Sequence, residues 1–70
     1  MIRFLVVFEK TKTGYSAFAP DLPGCISTGK TKKQAEENMF EAIQLHIEGL
    51  RAEHRKVPKA TAESEMLVFA

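Results

Sequence analysis

Residues 17–27, AFAPDLPGCIS, decide the fold of this chain. Pro20, Pro23, Gly24 and Cys25 fall within six positions of one another, between segments with strand composition. Pro20 and Pro23 lack backbone donors, and Pro23 biases Leu22 towards extended backbone. Gly24 permits a chain reversal, and Asp21 suits a turn in which its carboxylate bonds the backbone just ahead. The stretch therefore reads as a tight, non-helical corner between two antiparallel strands.

Upstream of the corner, residues 2–9, IRFLVVFE, alternate as a strand: Ile2, Phe4, Val6 and Phe8 share one face, Leu5 and Val7 the other. Apolar residues on both faces predict a strand that is central in its sheet or covered on its second side. KTKTG (10–14) reads as a hairpin turn with Gly14 at positive φ, and YSAFA (15–19) as the second strand. Downstream, CISTG (25–29) returns as a third strand with Ile26 pointing inward. Thr31 then opens a helix with the capping-box pattern Thr-x-x-Gln to Gln34. Ala35, Met39, Ile43, His46, Ile47 and Leu50 form an apolar stripe running to about His54. Pro58 blocks any continuation, and EMLVFA (65–70) reads as a last strand. The expected order is βββαβ, an α+β two-layer domain over residues 1–70 with one helix on a mainly antiparallel sheet.

Seventy residues form one small core, and small domains compensate with disulfides, metals or self-association. One cysteine makes no internal bridge, and no His/Cys cluster has zinc-ligand spacing, so homo-oligomerisation is the expectation. The net charge of +1 exerts no global pull on nucleic acid or membrane. The apolar run at the start is too short for a signal peptide, and nothing approaches a membrane span, so a cytoplasmic protein is expected.

Catalysis finds little support. Cys25, His46 and His54 are the raw materials of a thiol enzyme, but both histidines lie on or beside the apolar stripe and no nucleophile elbow surrounds the cysteine. Cys25 reads as a small buried hydrophobe. Asp21 is the sole aspartate, with Glu9 its nearest companion, too few carboxylates for a metal-dependent nuclease. There is no phosphate-cradling glycine loop, so no cofactor and no enzyme activity are expected. Lys30, Lys32 and Lys33 ring the helix N-terminus, where a small RNA-binding domain could hold phosphate. They lack interleaved aromatics, and a solvated turn is the plainer reading. At 100° per residue, Glu37, Glu41 and Glu48 gather beside Leu45, nearly opposite the apolar stripe. That acidic face suits a basic partner, against the plainer reading of an ordinary solvated helix surface. Leu5 and Val7 offer a second candidate surface.

The combination of an aromatic strand before PDLPGC, then S-x-G-x-T, then a helix carrying EA and ending in HIEGL resembles the HicB-like antitoxins over most of residues 1–50. The resemblance implies a truncated RNase H-like fold in which the last strand lies parallel beside the first. It further implies an antitoxin that binds and neutralises a small basic RNase toxin by obstructing its active site. Many members carry a C-terminal DNA-binding segment. Only about a dozen residues follow Pro58 here, too few for a helix-turn-helix, so direct operator binding is not expected. The acidic cluster of an RNase H nuclease is lacking. Alternatives are an orphan self-associating module that has no toxin partner, or the small RNA-binding domain.

Overall fold

The computed structural model describes residues 2–70. The elements are β1 (Val7–Lys10), β2 (Tyr15–Phe18), β3 (Ile26–Gly29) and α1 (Lys32–Ala52), with one antiparallel sheet in the order β1-β2-β3 and the helix laid on it. The α+β class, the antiparallel strands and the single helix match the sequence expectation.

Sheet register explains where the helix sits. Phe8 pairs with Ala17, and Ala17 with Ser27, so one row crosses the inner face from a large side chain to two small ones. The helix settles over the small end, packing on β3 and β2. Ser27 donates its hydroxyl to the Ala35 carbonyl at 3.0 Å, and Asn38 donates its side-chain amide to the Thr28 carbonyl at 2.8 Å. Gly29 permits this approach: a Cβ there would lie 2.5 Å from the Ala35 nitrogen. Ala17, Ala19, Leu22, Cys25 and Met39 form the buried core, with Phe4, Val6, Phe8, Ala42 and Ile43 packed against it.

The corner consists of two successive turns. Leu22 N donates to the Ala19 carbonyl and Cys25 N to the Leu22 carbonyl, both at 3.0 Å. Each turn has proline at its second position, and Gly24 follows Pro23 at φ 81°, the signature of a type II turn. Leu22, shared by both turns, is fully buried. The corner thus drives one leucine into the core and returns the chain as β3.

The helix ends are specified locally. Gln34 N donates to Thr31 Oγ1 at 3.1 Å, while Gln34 Oε1 accepts from Lys30 N at 2.8 Å, a capping box displaced by one residue on its return arm. At the other end His54 N donates to the Arg51 carbonyl and Arg55 N to the Leu50 carbonyl, a Schellman closure with His54 at φ 59°. The helix therefore stops at Ala52, ahead of Pro58.

Several expectations change. Ile26 points outward, 69% exposed, because β3 presents Ser27 and Gly29 to the helix. Gly14 is not among the residues with positive φ; its lack of a side chain instead clears the Gly29 carbonyl, 2.2 Å from where its Cβ would stand. The ladder of the first strand begins only at Val7, and among the described residues β1 is an edge strand, not an interior one. Among the described residues, 65–70 pair with no strand, so the expected parallel strand beside β1 is not formed there.

Candidate functional site

The outer face of α1 gathers the sequence-predicted residues. Glu37, Glu41, Leu45 and Glu48 lie within about 80° of one another around the helix axis, at its helical pitch. All are solvent-exposed, Leu45 at 61%. Arg55–Glu53, at 3.5 Å, is the one ion pair among the described residues, so the three glutamates carry uncompensated charge. Phe40, 67% exposed, lies on another side of the helix, at the rim of the cleft between α1 and β1. Exposed carboxylates flanking exposed apolar groups can hold a basic surface and desolvate its centre.

A second surface, which the sequence pattern did not reveal, is a cleft between β1 and α1. Because the helix sits over β2 and β3, the inner face of β1 is only half covered. Phe4, Val6 and Phe8 face Met39, Ile43 and Ile47 across an open apolar hollow of about 370 Å³. The free edge of β1 borders it, with Ile2 exposed at 51%. The far side of the sheet carries a second apolar row, in which half-buried Val7 and the exposed Phe18 and Ile26 stand opposite one another across the three strands. The size gradient Phe8–Ala17–Ser27 was the available signal for the cleft, legible only once register is known.

The remaining candidates are placed as follows. Cys25 is buried beside the corner, and burial pushes its thiol pKa up, which keeps it protonated and poorly nucleophilic. His46 is half-buried on the helix, while His54 forms the helix-ending turn. Lys32 extends its ammonium over the Phe8 ring, 5.3 Å from the centroid, which commits one of the three helix-start lysines to a protein contact. Glu9 is exposed at the sheet edge, and among the described residues no group of three His, Cys, Asp or Glu side chains assembles. No helix of the described residues is long and apolar enough to cross a membrane.

Asp21 does something its turn position did not suggest. Its carboxylate accepts from Thr61 N at 3.0 Å, Thr61 Oγ1 at 3.0 Å and Ala62 N at 2.9 Å. The Ala62 amide is the chief cause that holds its pKa below the ordinary aspartate value; desolvation opposes it, and the Thr61 hydroxyl and amide add to the lowering. The expected bond to backbone just ahead is replaced by an anchor forty residues downstream.

Comparison with known proteins agrees with this architecture. A UPF0150 protein from Thermoplasma acidophilum is 41% identical over 99% of this chain and 100% of its own length. Another from Synechocystis is 51% identical over 80% of this chain and 72% of its own. A chain in the solved structure of the HicA3 and HicB3 toxin-antitoxin complex superposes with a TM-score of 0.67 at 29% identity, covering 84% of this chain and 72% of that one. The family model of the HicB-like antitoxins of bacterial toxin-antitoxin systems matches residues 4–68, and the chain belongs to that family.

Proposed function

We propose that this protein is the antitoxin of a type II toxin-antitoxin pair, and that it binds and neutralises a small basic RNA-cleaving toxin without catalysing a reaction itself. The observation that carries this reading is the likeness in fold and sequence to a chain of a toxin-antitoxin complex. Antitoxin action of this kind needs only a complementary surface, and the exposed face of Glu37, Glu41, Leu45 and Glu48 provides one. Uncompensated carboxylates steer a cationic partner into contact and fix its orientation. Leu45, beside the three glutamates at the edge of that face, supplies exposed apolar area to the interface. The protein is read as cytoplasmic and self-associating.

Self-association without a toxin, the orphan-module reading, has one observation in its favour: the large exposed apolar surface on the strand edge and tail. RNA binding through Lys30, Lys32 and Lys33 is the weaker reading, because Lys32 is turned onto Phe8.

The experiment is a tagged pull-down from the native host with intact masses read by mass spectrometry. A stoichiometric small basic protein whose RNase activity falls when this chain is added supports the antitoxin. Recovery of self-associated chain alone, across growth conditions, overturns it in favour of the orphan module.

A further inference from the structure

We infer that residues 65–70 of one copy complete the sheet of a second copy, lying along the free edge of β1 and over the apolar cleft, with the exchange made reciprocally in a two-fold dimer. The proposal deepens the self-association assigned above and names its geometry.

The tail is built as a strand that lacks a sheet. Met66, Leu67, Val68 and Phe69 are 90%, 72%, 96% and 83% exposed. Such a run alternates Met66 and Val68 with Leu67 and Phe69, apolar on both faces, which suits a strand covered on both sides. Isolated apolar side chains on a surface are ordinary, but four consecutive ones are not.

The receiving site has matching needs. Among the described residues β1 has one hydrogen-bonded neighbour and presents an unpaired edge, a ready template for another strand. Residues 2–6 lead into it outside the ladder, although they carry strand composition. A strand added there would set one face of side chains over Phe4, Val6, Ile43 and Ile47. Its other face would continue the apolar row that Val7, Phe18 and Ile26 begin. Both faces of the tail would then be matched.

Surface area points to a second copy as the occupant. A compact chain of 7.8 kDa exposes roughly 4,400 Å². This one exposes 6037 Å², an excess of about 1,600 Å², or twice the roughly 800 Å² that each partner gives to an ordinary stable interface. The radius of gyration, 13.5 Å, exceeds the roughly 11 Å of a compact chain of this length. The Asp21 clamp on Thr61 and Ala62 fixes where the tail leaves the body, and beyond it the chain stays off its own sheet. Reciprocal exchange satisfies two edges and two tails at once and closes the assembly.

The test uses the full chain. Light scattering should give a dimer mass, and Leu67→Lys with Phe69→Lys should shift it to monomer while circular dichroism stays unchanged, since both positions are exposed. A monomeric full chain, or a dimer indifferent to those charges, overturns the inference. Placement is read by replacing Val68 with a photo-crosslinking benzoylphenylalanine in a mixture of isotopically light and heavy copies. Cross-links from a light tail to residues 2–8 of a heavy chain support exchange; cross-links confined to one chain mean that the tail folds on its own edge and overturn it. Toxin capture by the charged-tail variant separates this outcome from the antitoxin reading, because the outer helix face is untouched.

Discussion

Asp21 and Thr61 are joined by two hydrogen bonds, from the Thr61 amide and hydroxyl to the two carboxylate oxygens, each 3.0 Å long. The contact ties the corner between β2 and β3 to the segment beyond the helix, and with Ala62 it sets the departure point of the tail.

Asp21→Ala removes all three acceptor contacts and should free residues 57–70. Hydrogen exchange at Thr61 and Ala62 should accelerate, while the amides of β2 and α1 remain protected. Equal protection in the variant would contradict the anchoring role.

The same contact sets a pH dependence. Asp21 is held below its ordinary pKa in the anchored state, so the anchor is fully present above the ordinary aspartate range and is lost as pH falls through the depressed value. Amide shifts of Thr61 and Ala62 followed on acidification should therefore titrate below the range of a free aspartate. Asp21→Asn should abolish that titration.

His54 closes the helix in left-handed backbone at φ 59°, where glycine is unstrained. His54→Gly should stabilise the fold by about 1 kcal/mol, read as a higher denaturation midpoint. An unchanged or lower midpoint would show the closure to be unstrained.

Gly29→Ala should cost about 1–3 kcal/mol, because the new Cβ meets backbone of the helix, 2.5 Å from the Ala35 nitrogen and 2.9 Å from its Cα. Backbone must shift to admit it. Thr31→Ala, which removes only the cap bond to Gln34, should cost about 1 kcal/mol. Urea denaturation of the two variants gives the comparison, and a larger loss for the cap would overturn the close-packing argument.

Changing Glu37, Glu41 and Glu48 together to Lys should weaken toxin binding at least about a hundredfold, since like charges across an interface cost several kcal/mol. All three are exposed, so the melting temperature should hold. Undiminished binding would remove the helix face from the proposed interface.

Local physics carried much of the fold directly from residue order. The prolines and Gly24 specify two turns, Thr31 and Gln34 specify a helix start, and the spacing from Ala35 to Leu50 specifies an apolar stripe, buried at Ala35 and Met39 and half-buried from Ile43 onward; each depends on neighbours a few residues apart. The acidic grouping of Glu37, Glu41 and Glu48 was legible for the same reason, since helical pitch alone brings them together. Ile26 was misplaced because strand composition does not say which face of β3 meets the helix. That choice was made by Ser27 and Gly29, whose small size admits the Ala35 backbone. The Asp21 anchor spans forty residues and leaves no periodic trace. EMLVFA shows its strand character in sequence, but pairing is a relation between distant edges. Only the tertiary arrangement, with the helix drawn over β2 and β3 and the edge of β1 left open, shows that among the described residues this segment joins none of the three strands.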